Sequence, residues 1–409
     1  MADGQTEGVR AAGELTFGEK VVVLMGGIIA GMSLTVLSPV LPSIEMALAH
    51  TQTDQMLVKQ LFGITTFAML FGAPLGGFLV ARVGMRRLLL GASLLFAFGG
   101  SAGYFMSSLP MLLASRVCVG LSAACIQVMA LTIVNTKLSG VSRAKWMGLH
   151  VSIATFCSLL VYPLSGFLGD ISWRLPFFEH LFALVVFAAI LVSPTIDVPK
   201  APAATAGASL DQSIWKWMPW HYIGLTLFTG AITFLPAIYS PFLFREKFGL
   251  PPSGMAGIMF STALIGGLSA FFYGRAMRYL SVHGAFLVAF GLAAVGMAIV
   301  ALATSLPTMV AGFALYGIGN AWFVPNFMTS IGNKVLPHQQ ARAAGLVKMG
   351  QFGSTPFCVL VIEPYARQFG PLTVMLLACG MASFIFLLVV IRMATQGKRR
   401  LAVKPAKAA

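Results

Sequence analysis

The chain carries a second copy of its own pattern. Ser108-Leu109-Pro110-Met111-Leu112-Leu113-Ala114 returns as Ser305-Leu306-Pro307-Thr308-Met309-Val310-Ala311, an offset of 305 − 108 = 197 residues. The same offset takes Gly120 to Gly317, Gly77 to Gly274 and Pro39 to Pro236, and Lys145-x-x-Gly148-Leu149 to Arg342-x-x-Gly345-Leu346. One register held over such distant places predicts two halves of matching structure.

Both halves are built of long apolar runs. The 409 residues are 58% hydrophobic and 10% charged, where a soluble domain has about 25% charged. Runs of about 20 residues, enough to cross the hydrocarbon core, fall at 20–42, 57–80, 88–107, 110–132, 146–168, 176–194, 219–241, 253–274, 283–303, 306–328, 342–363 and 372–392. The expected fold is an all-α membrane protein of twelve transmembrane helices in two pseudo-symmetric six-helix bundles. The expected divisions are an N-terminal segment 1–19, a bundle 20–198, a linker 199–218, a bundle 219–394 and a basic tail 395–409. The linker is rich in Ala, Pro, Thr, Gly and Ser. Trp215, Trp217, Trp220 and Tyr222 after it suit a membrane interface. Residues 1–19 lack a basic, cleavable leader pattern, so the first run is read as a retained span.

Basic residues set the orientation. With the N-terminus in the cytoplasm, ten lie in short cytoplasmic loops, among them Arg82, Arg86, Arg87, Lys137 and Arg143. Only Lys59, Arg174, Arg245, Lys247 and Arg367 lie outside. This places both termini in the cytoplasm of a cell inner-membrane protein. The net charge of +15 then reflects topology and attraction to anionic lipid heads. Cations scattered over separate loops argue against nucleic acid. The five cysteines fall inside the predicted spans without a CxxC pair, which reads as packing rather than metal binding. No phosphate-cradling GxxxxGK[ST] motif occurs, and no cofactor or metal is expected.

Between the second and third spans stands Gly77-Phe78-Leu79-Val80-Ala81-Arg82-Val83-Gly84-Met85-Arg86-Arg87. It resembles the loop signature of the major facilitator superfamily, with Ala81 where the family has an acid. Arg116-x-x-x-Gly120 resembles a second family motif, and Trp173-Arg174-x-Pro176-Phe177 a third. Tyr162-Pro163-Leu164-Ser165-Gly166 partly resembles the drug:proton antiporter motif, with Tyr162 and Phe167 in place of two of its glycines. The resemblance implies alternating access, with Gly77, Arg82, Gly84, Arg86, Arg87, Gly120, Pro163 and Gly166 in gating or bending roles. It also implies a monomer. Independently of the family, a tight turn needs glycine at Gly84. The arginines beside it can meet helix C-termini or lipid phosphates.

Two cations are read within spans, Arg116 in the fourth and Lys348 in the eleventh. Such residues usually face a water-filled cavity or a partner. Arg116, Gly120, Ala123 and Gln127 share a helix face, and so do Lys348, Gln351 and Thr355. With Asn320 of the tenth span, the resemblance implies that they look into one central cavity. Either they bind an anionic group of a substrate, or Arg116 satisfies helix carbonyls and Lys348 snorkels to the surface. The coupling candidates are His150, Glu45, Glu179 and Glu363. The expected function is a secondary transporter of a small organic anion or amphiphile, exporting it on a proton gradient, with membrane lipids as its surroundings. An organic-anion importer or exchanger is the alternative. A polytopic membrane enzyme using Asp170, Glu179 and His180 leaves the repeat unexplained.

Overall fold

Each apolar run closes its own backbone hydrogen bonds as a helix, and local capping chemistry sets its ends. The computed structural model describes residues 15–138, 140–192, 220–332 and 340–402. The segment expected as a linker lies outside them. Thr16 and Glu19 form a capping box that starts α1 (Phe17–Thr35). Thr51 and Asp54 do the same for α3 (Gln52–Val83), which therefore begins five residues before its apolar run. Pro39 and Pro42 break the first column into α1, a 3₁₀ turn and α2 (Leu41–Leu48).

The first half continues with α4 (Met85–Ser101), α5 (Leu109–Lys137) and α6 (Gly140–Ile171). A 3₁₀ stretch Leu175–Ala183 then leads into α7 (Leu184–Val192). The second half holds α8 (Trp220–Phe248), α9 (Pro252–Ala276), α10 (Val282–Leu302), α11 (Leu306–Ala321), α12 (Phe323–Gly332), α13 (Gln340–Phe369) and α14 (Pro371–Ala402). The tenth column is thus broken at Trp322, and the last helix runs on into the expected tail. These elements make twelve columns among the described residues. Eight are long and apolar enough to cross a membrane. The other four are α4, α6, the broken α11–α12 pair and α13.

Two hydrophobic cores match the two halves. One gathers residues from Leu15 to Ile190, the other residues from Ala231 to Ile385 together with Phe62 of the first half. The 197-residue offset holds in three dimensions. A Cβ on Gly120 would lie 2.4 Å from the carbonyl oxygen of Thr65, and one on Gly317 would lie 2.5 Å from that of Thr262. Here 317 − 120 = 197 and 262 − 65 = 197, so the same glycine lets the same two helices meet in each half. Ser108 and Ser305 likewise occupy the N-cap positions of α5 and α11, each with proline in the first turn.

Gly84 joins α3 to α4 with φ +82° and ψ 156°, a conformation essentially reserved for glycine. Gly84→Ala meets no steric obstacle, so its cost is backbone strain of about 1–3 kcal/mol. Gly77→Ala, mid-helix and also unobstructed, is expected to leave thermal stability unchanged or slightly raised. Melting of the two variants in detergent checks the contrast.

Candidate functional site

The two halves meet at the end of the bundle away from Leu15, the first described residue, called here the distal end. Five side-chain hydrogen bonds between described residues join the halves there. Lys59 Nζ on α3 donates to Glu363 Oε1 on α13 at 2.8 Å. Gln60 donates to the Pro356 carbonyl, and Ser38 donates to that of Ala237. The Ser253 amide at the start of α9 donates to Asp170 at 3.0 Å, and Arg367 donates to Gln52.

Lys59 and Glu363 are both buried. Tyr239 of α8 donates its hydroxyl to the second oxygen of Glu363 at 2.7 Å. Each charge also has an opposite charge within its own half. Glu45 lies 3.5 Å from Lys59, and Arg367 lies 3.4 Å from Glu363. The cross-half bond can therefore break without stranding a charge, which removes the main cost of opening a buried ion pair. A cavity of about 350 Å³, lined in part by Glu45, Gln55, Lys59, Tyr239 and Arg367, leads to this cluster.

The seam on the opposite side, where Asp170 accepts the Ser253 amide, has no ion pair among the described residues. Gly166 of α6 packs against Ala256 of α9 so closely that a Cβ would come within 2.5 Å. The repeat relates the two seams, since 363 − 166 = 197 and 256 − 59 = 197. An ion pair and a small-residue contact thus occupy equivalent places.

On the seam's inner side lies an aromatic layer. Phe62 reaches from α3 into the other half, with its ring 5.9 Å from Phe234, which is itself 5.9 Å from Phe352. Leu34 and Tyr162 pack on the same cluster. Thr233 donates to Asn320 Oδ1 at 2.6 Å, while Tyr316 donates to the Ile232 and Thr233 carbonyls.

The residues expected around one cavity are not all brought together. Arg116 is 1% exposed and turns into its own half. It donates to the Gly100 carbonyl, to Ser115 and to His180 Nε2 at 3.1, 3.1 and 3.2 Å, over the Phe177 ring. This is the carbonyl-satisfying arrangement, and it directs the guanidinium away from the interface between halves. Gln127 lies on α5 beside Gly26 of α1. The carbonyl of Gln351 abuts Gly230 of α8 and accepts from Ser354. Thr355 is fully buried in the same helix. The side chain of Lys348 lies outside the described residues.

The coupling candidates separate as well. His150 Nδ1 sits 2.6 Å from the Val23 carbonyl, tying α6 to α1. Glu45 and Glu363 belong to the seam. Glu179 accepts from Ser165 at 2.7 Å. In the loop signature, Arg86 approaches the last carbonyls of α7, Ile190 and Leu191. Arg82 lies over Phe78 and Arg87 is exposed. Pro163 is exposed inside α6. Arg174 donates to the Tyr104 and Met106 carbonyls.

The sequence reading missed Lys59 by assigning it to an outer loop. Its signal was present, because the apolar run read from 57 already contained it. Phe62, Tyr239 and Arg367 were missed as site residues because nothing in the spacing marks them as contacts between halves.

The model of the Major Facilitator Superfamily matches residues 23–357. The chain belongs to this superfamily. It is a multi-pass integral membrane protein, and its superfamily is one of transporters rather than enzymes. It is 27% identical over 297 residues to the mouse (Mus musculus) solute carrier family 2, facilitated glucose transporter member 10, covering 70% of this chain and 52% of that one. It is 26% identical over 255 residues to Multidrug resistance protein 1 of Bacillus subtilis, covering 61% and 64%. It is 24% identical over 367 residues to the 3-(3-hydroxy-phenyl)propionate transporter of Escherichia coli, covering 82% and 85%. The chain thus spans about half the length of the mouse relative and under two thirds of the B. subtilis one. The crystal structure of a D-xylose-proton symporter superposes with a TM-score of 0.77 at 16% identity, covering 91% of this chain and 97% of that one. That likeness concerns the fold alone.

Proposed function

We propose that this superfamily member exports a small, partly apolar organic compound by alternating access, driven by a proton gradient. The distal end faces outward and is shut in this conformation. The observation that carries the reading is the pair of repeat-related seams, Lys59–Glu363 and Ala256–Gly166. They close one end between two otherwise separate cores, as a carrier with a midplane site requires. The aromatic layer of Phe62, Phe234 and Phe352 offers an apolar surface with Asn320 near its edge, which suits an amphiphile. The B. subtilis relative supports export.

A second reading is organic-anion import. The E. coli relative favours it, since the match covers most of both chains. Proteoliposomes with an imposed pH gradient, offered labelled 3-(3-hydroxyphenyl)propionate, a neutral amphiphilic dye and ethidium, separate the two. Export predicts gradient-driven accumulation of the dye with protons moving the opposite way. Movement of the propionate alone, together with protons or by exchange, would establish the second reading instead.

A further inference from the structure

Most acids in the described columns have a visible partner that holds their charge. Glu19 pairs with Lys137, Glu45 with Lys59, and Glu363 with Lys59 and Arg367. Asp54 caps α3, and Asp170 accepts the Ser253 amide. Glu179 differs. It is 8% exposed, Ser165 donates to Oε1, and Oε2 is buried without a hydrogen-bond partner.

The charged groups nearby are engaged elsewhere. On α5, Arg116 is bonded to Gly100, Ser115 and His180. His180 turns Nδ1 to the Phe177 carbonyl and Nε2 to Arg116. A carbonyl only accepts, so Nδ1 carries the hydrogen and the ring is neutral. Arg174 is spent on the Tyr104 and Met106 carbonyls. On α6, Asp170 faces α9, and Tyr162 packs on the other half's core. The ionisable side chains of α1 and α4 (Glu19, Lys20, Arg86 and Arg87) all lie at the opposite ends of those helices. An isolated buried carboxylate costs several kcal/mol, whereas a carboxylic acid in the same place needs no counter-charge.

We propose that Glu179 carries the coupled proton, holding it while the distal seams are shut and releasing it when they part. Its hydrogen-bond donor, Ser165, is adjacent in sequence to Gly166, which packs against Ala256 across the α6–α9 seam. Parting of α6 from α9 brings water to the Ser165–Glu179 pair and makes the carboxylate affordable. Glu45 and Glu363, each with a cation in its own half, act as a partner-swapping latch and need no proton.

The inference rests on the proton-driven reading, and infrared spectroscopy of the full chain in nanodiscs tests it apart from transport. At neutral pH the wild type is expected to show a protonated-carboxyl band that Glu179→Gln lacks. Lys59→Ala, which loosens the seam, is expected to lose most of that band at the same pH. Glu363→Gln serves as a second loosened variant if Lys59→Ala does not fold. No band in the wild type, a band that survives Glu179→Gln, or one unchanged in both loosened variants would overturn the assignment. Transport that ignores pH while the band behaves as expected would instead overturn the proton-driven reading.

Discussion

Lys59→Ala is expected to open the distal end. The substitution leaves Glu363 buried with Arg367 and Tyr239 but without its partner across the halves. Arg367 and Tyr239 still hold the carboxylate, so the loss is that of one charged hydrogen bond across the halves, about 1.5–3 kcal/mol. At about 1.4 kcal/mol per tenfold, the closed conformation should lose about one to two powers of ten in population relative to the open one. Spin labels on cysteines replacing Gln55 and Pro371, which line opposite sides of the distal cavity, should report a longer distance by pulsed EPR. Glu363→Gln should give a smaller shift, because the amide oxygen can still accept from Lys59, which also keeps Glu45 at 3.5 Å in its own half. The exchanged pair, Lys59→Glu with Glu363→Lys, should restore part of the closed population. An unchanged distance distribution in Lys59→Ala would show that the aromatic and glycine contacts hold the seam without the ion pair.

The architecture was legible because it is periodic. Apolar runs of spanning length gave the columns, and the repeat gave the pairing of halves. Gly120 over Thr65 and Gly317 over Thr262 show that the offset marks a packing rule. The site was less legible, because contacts between halves join residues some 300 positions apart and have no local period. Lys59 and Glu363 sit near helix ends, where charge is also expected for topological reasons, so composition does not distinguish a latch from a loop. The antiporter-like segment was partly readable. Its retained Gly166 lets α6 pack tightly on Ala256 of α9 in the other half. Tyr162, read as a departure from the motif, fills space against the opposite core.

Arg116 shows how a helical stripe can mislead, and it carries the second large prediction. Gly120, expected on the same face, packs on α3. Periodicity says which residues share a face, but not which neighbour that face meets. The slot that receives Arg116 is made one helix earlier. A Cβ on Gly100 would lie 2.3 Å from His180, and one on Gly103 would lie 2.1 Å from Phe177, so two glycines let the 3₁₀ stretch press His180 and Phe177 against α4. Arg116→Ala leaves the Gly100 carbonyl and His180 Nε2 without a donor and opens a large void. Lost charged hydrogen bonds of about 1.5–3 kcal/mol each, plus the void, predict a loss of several kcal/mol and little folded protein in detergent. Arg116→Lys should recover only part of this, because one ammonium lacks the planar fork that serves several acceptors at once. Gly100→Ala should resemble Arg116→Ala, although it removes no charge. Thermal melting and size-exclusion profiles of the three variants check the ranking. If Arg116→Ala instead melts like the wild type and loses only its preference for anions, the guanidinium is a substrate ligand, and the packing account of this residue fails.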